Sequence, residues 1–500
     1  MGKYLLGIDN GGTLTKSVLY DLTGNEIAAA TVEVPMITPQ AGFTERDMEI
    51  LWAANCKAIQ ETLKKSGIDA LQISGVACTG HGKGLYLWGK DGKPAYNGIV
   101  STDSRAWEYS ERWYADGTAE KVFIKTCQRI LACQPVSLLR WLKDNRPGVV
   151  ENTQWIFSVK DYIRYRLTGQ AYGEITDFSG TNLVNLQTKA YDLELLNEFG
   201  LAEVFDKLPP LKYSADHCGS ITKESAEKTG LVAGTPVAGG MFDIDACAVA
   251  MDVTDSENLC VIAGTWSINE YISAKPVIDG SIMMNSLFCL PGSYLVEESS
   301  PTSASNNEWF INLFLEDEKR ALKTEGKNIY DLVNELVASV TPLDQNIIFL
   351  PYIYGSNYNP RAKACFIGMD SHHTRAHIMR AIYEGVAFCH MVHIEKLLNA
   401  RAKPNVVRLA GGVANSDVWV QIFADVLNLP IEIIESRELG AMGCAMAAGV
   451  ASGEFGSFKE AAKAMVRVKK RFEPNFDAVP VYEHKYAYYK QVSAAVEGCW

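Results

Sequence analysis

Short apolar runs broken by glycine turns recur along the chain, with longer amphipathic stretches between them. Leu5-Leu6-Gly7-Ile8 and Ser17-Val18-Leu19-Tyr20 flank Asn10-Gly11-Gly12-Thr13, a pattern that predicts strand, tight turn and strand over residues 5–20. Ile73–Cys78 predicts a further strand. Leu85–Trp88 predicts another, closed by the turn Gly89-Lys90-Asp91-Gly92. Trp107–Trp113 and Pro135–Leu142 carry helical spacing, and the second is amphipathic. Halfway along, Leu259–Ala263, then Gly264-Thr265-Trp266-Ser267, then Ile268–Tyr271 repeat the strand–turn–strand pattern. Val406–Leu409 reads as a strand before a helix that carries Trp419, Gln421, Phe423 and Asp425. Alternating strands and helices predict the α/β class. The two glycine hairpins stand about 250 residues apart, which predicts a duplication into two similar domains facing each other across a central cleft. Polar Asp252–Asn258 marks the junction, dividing the chain into 1–252 and 253–500.

Length and charge narrow the class. The chain has 500 residues, too many for a single core. It is 47% hydrophobic and 21% charged, with a net charge of -12 and no long basic run, which argues against nucleic acid or an anionic membrane as partner. No apolar run reaches the roughly 18 residues of a membrane span. The opening residues lack a signal peptide's apolar region before Asp9. The 12 cysteines are scattered with no Cys-x-x-Cys pair, as expected of buried thiols in a reducing compartment, the cytoplasm.

The first turn carries candidate chemistry. Gly11 and Gly12 let the backbone approach a ligand, and N–H groups in such a turn suit phosphate. Asp9 can hold Mg²⁺, Thr13 and Thr15 can donate to phosphate oxygens, and Lys16 can neutralise charge. No helix follows, and no Gly-x4-Gly-Lys-Ser/Thr is present, so this is not a P-loop. Gly80-His81-Gly82-Lys83-Gly84 is followed by a strand, not the helix a dinucleotide fold requires. Val237–Ala248 reads as strand, acids and small-residue helix. Its Asp243 suits either an N-cap or a general base. Asp9 and Asp243, expected at neighbouring strand ends, together suit Mg²⁺-assisted phosphoryl transfer. Gly411 and Gly412 admit a flat ligand, a nucleobase, with Asn415 as its partner; a helix cap is the alternative. His372, His373, His377, His390 and His393 invite a metal reading, and His373 and His377 stand four apart, but no carboxylate or cysteine spacing completes a zinc site, so a solvated helix surface or a hydrogen-bonded core is expected.

With these motifs in hand, the chain resembles the FGGY carbohydrate kinases nearly end to end. Asp9–Lys16 is similar to the family's first phosphate motif, with Gly12 where Thr is usual. Gly264-Thr265 is similar to the second, and Gly411–Asp425 to the adenosine motif. Ala364–Met369, His377-Ile378 and Ala381–Glu384 match the C-terminal signature. In the N-terminal signature Pro135, Trp141, Leu142, Asp144 and Asn145 fit, while Leu138 replaces the usual Lys. The resemblance implies paired actin-like, ribonuclease-H-like domains. Residues 1–252 would carry sugar, base and first phosphate motif, and 253–500 would bind ATP. It implies ATP-dependent phosphorylation of a primary hydroxyl with Mg²⁺ on Asp9 and Asp243, and a homodimer is frequent among such kinases. Asp243 and Asp245 compete as base, and spacing from the preceding glycines favours Asp243. His81, Asp103 and Arg105 stand at the family's sugar-contact positions. Glu45–Met48, Gly82–Leu85, Pro135–Leu142 and Ser300–Ser303 look most like the L-xylulose kinases. Another ketose or polyol (D-xylulose, ribulose, erythritol, glycerol), or an actin-like ATPase without sugar, are the alternatives.

Overall fold

The computed structural model describes residues 3–356, 359 and 361–500. No helix among them is long and apolar enough to cross a membrane. The chain forms two compact units: Met1–Thr254, Ile272–Val296 and Ser436–Val466 make unit 1, and Asp255–Tyr271, Glu297–Glu435 and Arg467–Trp500 make unit 2.

Unit 1 contains β1 (Tyr4–Asn10), β2 (Leu14–Asp21), β3 (Glu26–Glu33), β4 (Ile73–Gly80), β5 (His217–Ser220), β6 (Pro236–Ala238) and β7 (Met241–Phe242). Their order is β5-β6-β4-β1-β2-β3, with β7 also paired to β4. β1–β2–β3 is an antiparallel meander, and β4 runs parallel to β1. Leu5, Leu6 and Ile8 are all fully buried, because both faces of β1 are covered. That is why the strand reads as an apolar run and not an alternation. The parallel step to β4 needs a crossover, supplied by the helix Met48–Ser66. Asp47 caps it by accepting N–H bonds from Glu49 and Ile50, and Gly67 ends it in the left-handed conformation. Leu51, Trp52 and Ile59 of this helix join Leu6, Ile8 and Val76 in one core, each such side chain contributing about 1.5–3 kcal/mol.

Unit 2 repeats the plan with β8 (Leu259–Ala263), β9 (Ser267–Ser273), β10 (Tyr294–Ser300), β11 (Val407–Ala410), β12 (Ile431–Ile434) and β13 (Val468–Phe472). The order is β10-β9-β8-β11-β12-β13. β8 is antiparallel to β9 and parallel to β11, which is parallel to β12. The succession β3-β2-β1-β4-β6 in one unit therefore matches β10-β9-β8-β11-β12 in the other, and the expected duplication is present in the topology. The helices predicted near Trp107 and Pro135 form as Trp107–Ala115 and Pro135–Asn145, with Pro135 in the first turn.

Candidate active site

In unit 1 the β1–β2 register pairs Asp9 with Lys16 and Asn10 with Thr15, leaving Gly11-Gly12-Thr13 as the hairpin's open end. Gly12 and Thr13 are exposed there. Thr15 is fully buried, with its Oγ 3.1 Å from both Asn10 Oδ1 and Asn55 Oδ1. Its hydroxyl therefore braces the hairpin base, not the open turn where a phosphate donor was expected. Lys16 Nζ lies 2.6 Å from Glu438 Oε2, so its charge is already shared with a carboxylate. Asp9 accepts no hydrogen bond among the described residues. Burial pushes its carboxyl up to about 6, with Lys16 opposing and Glu438 reinforcing the rise. Oxygen atoms left free of donors in this way suit a hard divalent cation.

The acids follow from how the chain leaves the sheet. β7 pairs with β4 through Met241↔Thr79 and Phe242↔Gly80. Gly240, at φ 75°, makes the step from β6 to β7 where a Cβ would stand 1.9 Å from the Cys78 carbonyl oxygen. Helix α1 (Asp243–Ala250) begins immediately afterwards. Two expectations are corrected. β4 lies between β1 and β7, so Asp9 and Asp243 do not end neighbouring strands. The cap position is Phe242, with Asp243 and Asp245 both inside the first turn, so neither is the N-cap. Asp243 is partly exposed and Asp245 fully buried. Burial raises the Asp243 carboxyl far above the usual range, the charges of Asp9 and Asp177 raise it further, and Lys83 opposes them.

A buried network that the sequence did not disclose pins this turn. The Phe242 N–H donates to Thr176 Oγ at 2.9 Å, and that hydroxyl donates to Glu174 Oε2 at 2.7 Å. Lys160 Nζ stands 3.3 Å from Glu174 and 3.5 Å from Asp177. Burial pushes Asp177 up to about 7 despite Lys160. These residues carry no local motif; only the fold brings them together.

His81 and the Asp103–Arg105 pair are buried. The His81 N–H donates to the Asn10 carbonyl at 3.0 Å, placing the ring beside the first turn. Its Nδ1 faces the Gly82 carbonyl at 3.2 Å and so carries the proton, while Nε2 accepts from the Tyr86 hydroxyl at 3.0 Å. Burial, then the charge of Arg46, lowers its pKa to about 3, so the ring is neutral. Arg105 Nη2 bridges Asp103 Oδ2 at 2.7 Å and Glu45 Oε1 at 2.8 Å, with the Phe43 ring 4.0 Å from its guanidinium carbon. Asp103 also accepts the Thr44 N–H at 2.7 Å. Both side chains are thus committed to one closed ion cluster.

In unit 2 a cavity of about 720 Å³ gathers Gly264, Thr265, Gly412 and Asn415 with Asn334 and Tyr383, a size that suits a nucleotide. Gly411, at φ 90°, brings the β11 turn against the β8 turn; a Cβ there would meet Ala263 at 2.5 Å. Tyr383 stacks on Trp419 at 3.9 Å, making a flat wall. Tyr383 belongs to α2 (Arg375–Asn399) and Trp419 to α3 (Asp417–Leu427). A neutral network backs the Thr265 turn. The Ser303 N–H and the Ser305 hydroxyl both donate to the Thr265 carbonyl, at 3.0 and 3.1 Å. Ser303 Oγ in turn meets His390 Nε2 at 2.8 Å, and His390 Nδ1 meets Asn269 Oδ1 at 2.7 Å. Burial holds His390 well below the usual imidazole range, so it is uncharged. In an exposed turn, Asp370, His372 and His373 bring ligand atoms within 4.8 Å of one another, a carboxylate partner that the residue spacing did not suggest.

These features describe a nucleotide-using phosphotransferase, and the comparisons make the class a carbohydrate kinase. The N-terminal domain of the FGGY family of carbohydrate kinases matches residues 4–250, and its C-terminal domain matches residues 259–452. The chain belongs to the FGGY family of carbohydrate kinases. It is similar to the L-xylulose/3-keto-L-gulonate kinase of Escherichia coli (strain K12), at 37% identity over 505 residues, covering 100% of this chain and 98% of that one. It is 35% identical to a probable L-xylulose kinase of Haemophilus influenzae, covering 99% of both chains. Among solved structures, the ligand-bound xylulose kinase from Lactobacillus acidophilus shares the fold at a TM-score of 0.90 and 24% identity, covering 99% of this chain and 98% of that one. The protein is accordingly a sugar kinase that takes its phosphate from ATP.

Proposed function

We propose that this kinase transfers the γ-phosphate of ATP to a primary hydroxyl of a ketopentose, L-xylulose, with Asp243 as general base. The observation that carries the reading is Asp243 itself: a partly exposed carboxyl at the start of α1, with proton affinity raised by burial and by Asp9. Asp245 is the competing base, and its complete burial disfavours it. Gly11, Gly12 and Thr13 receive the γ-phosphate, with Lys16 beside them, its charge shared with Glu438. Thr15 stays behind them as a brace. Gly264 and Thr265 take the remaining phosphates, and Gly411, Gly412 and Asn415 the adenosine. The sugar binds beside His81 and the Asp103–Arg105 pair, whose closed ion cluster fixes the shape of that position. Asp9 and Asp243 are the residues to hold Mg²⁺, which when bound neutralises phosphate charge.

The names of the two relatives support the choice of sugar. Twelve free cysteines, of which only Cys499 is exposed, support a reducing, cytoplasmic setting. A homodimer is proposed from the family resemblance, and sedimentation of the purified chain tests it.

The deciding assay is coupled ADP release with Mg-ATP across ketopentoses, pentitols, glycerol and 3-keto-L-gulonate, with a sugar-free blank. Selective turnover of L-xylulose supports the reading. Turnover of another sugar replaces the substrate and leaves the base in its role. Equal ADP release with and without every sugar makes the protein an actin-like ATPase.

A further inference from the structure

Buried cations elsewhere in unit 1 have carboxylate partners: Arg105 has Asp103 and Glu45, Lys160 has Asp161, Glu174 and Asp177, and Arg164 has Asp161. Arg46 differs. It is 0% exposed, yet among the described residues no carboxylate reaches its guanidinium. Nη2 donates to the Gly11 carbonyl at 3.1 Å and to the Gly12 carbonyl. Nε and Nη1 find no acceptor among the described residues. The guanidinium is thus held against the first glycine turn, and its charge acts on His81 and on Tyr86. Burying a cation without a counter-charge costs several kcal/mol, a cost that an arriving anion offsets. A phosphoryl group matches the free fork of N–H donors.

We infer that Arg46 is a catalytic residue that holds the phosphoryl group in transit, Nε–H and Nη1–H donating to its oxygens while Nη2 stays on the turn. The inference rests on the proposed assignment of Gly11–Thr13 to the γ-phosphate. In the transfer, the acceptor oxygen forms a bond to phosphorus and the bond to the β-phosphate oxygen breaks, its electron pair leaving with ADP. The hydroxyl proton goes to Asp243. Arg46 neither gives nor takes a proton; it neutralises the charge spread over the phosphoryl oxygens.

The test compares wild type with Arg46→Met, Arg46→Gln and Arg46→Lys. It reads kcat, both KM values and the melting temperature with MgADP and sugar, with and without aluminium fluoride as a planar phosphoryl mimic. The expected result is a fall in kcat of about 10²–10⁴-fold in the Met and Gln variants. KM for ATP should stay within about threefold and the MgADP shift should persist, while the added stabilisation by aluminium fluoride disappears; Lys recovers part of the rate. If Arg46→Met does not fold, Arg46→Gln decides, because it keeps an N–H for the Gly12 carbonyl. A folded Gln variant within tenfold of wild-type kcat, or one that keeps the aluminium fluoride increment, overturns the inference. Loss of the MgADP shift together with kcat also overturns it, making Arg46 a brace for the turn. If wild type releases ADP equally with and without sugar, the proposed function fails on its own. Arg46 is then read from the sugar-free ATPase rate and the MgADP–aluminium fluoride shift. Both should fall in Arg46→Gln, and unchanged values reject the role.

Discussion

The hairpins β1–β2 and β8–β9 have the same strand arrangement and a glycine–hydroxyl turn, but their surroundings differ in kind. Behind Gly11–Thr13 stand charged or titrating groups: Asp9, Lys16 with Glu438, and Arg46, which no carboxylate reaches among the described residues. Behind Gly264–Thr265 stand Ser303, Ser305, Asn269 and a His390 kept neutral by burial. The neutral groups behind one turn bring no fixed net charge to it. Fixed charges act most where charge is moving, so they contribute to rate. The two copies of the element thus differ in the charge packed behind them, and the proposed assignment gives binding to one and chemistry to the other.

The largest expected break in that contrast is Asp243→Asn. It should lower kcat by about 10²–10⁴-fold while the MgADP thermal shift stays intact. A loss below tenfold would move the base to Asp245. On the neutral side, His390→Phe strands the Ser303 hydroxyl and the Asn269 amide. KM for ATP should rise about tenfold with saturated kcat nearly unchanged, and His390→Gln should recover part of the affinity. A fall in kcat without any change in KM would erase the distinction between the two turns.

Two smaller tests sharpen it. As the proposed base, Asp243 must be ionised to accept a proton, so its raised proton affinity should place the acid limb of kcat/KM above the ordinary carboxylate range. Asp177→Asn removes a like charge, so the limb should move down by less than about one pH unit; a limb that stays put excludes Asp177 from the field of the base. The smallest effect is on stability. Folding raises the Asp9 carboxyl from its usual 3.8 to about 6, so the folded state favours its protonated form. The penalty is full above pH 6 and fades as pH falls toward 4. Calorimetry of ligand-free Asp9→Asn should show a melting temperature about 2–4 °C higher at pH 7.5, with the gain shrinking under acid. A gain that grows under acid reverses the assignment.

Much of this was legible from local pattern. Both glycine hairpins, the strand before Asp243 and the strand before Gly411 follow from apolar runs ended by glycine, which depend on neighbours in sequence. The sharing of one cavity by Gly264, Thr265, Gly412 and Asn415 was implied by the resemblance alone. What could not be read were pairings made at a distance. Thr15 looks like a phosphate donor until Asn55 arrives from a helix. Asp103 and Arg105 look free until Glu45 closes on Arg105. Arg46 lies in Glu45–Met48, which carried only a family likeness; that no carboxylate reaches it among the described residues is visible only in the folded chain.

Helix α4 (Leu439–Ala451) belongs to unit 1 and packs on β1 and β4. It is made long after them. When the ribosome has finished the first 254 residues, the face that receives Ala441, Met442 and Ala445 has no cover. At ordinary elongation rates the helix emerges about 10–40 s later. Through that interval, the synthesis of residues 255–451, the nascent first unit lacks the helix that packs on β1 and β4.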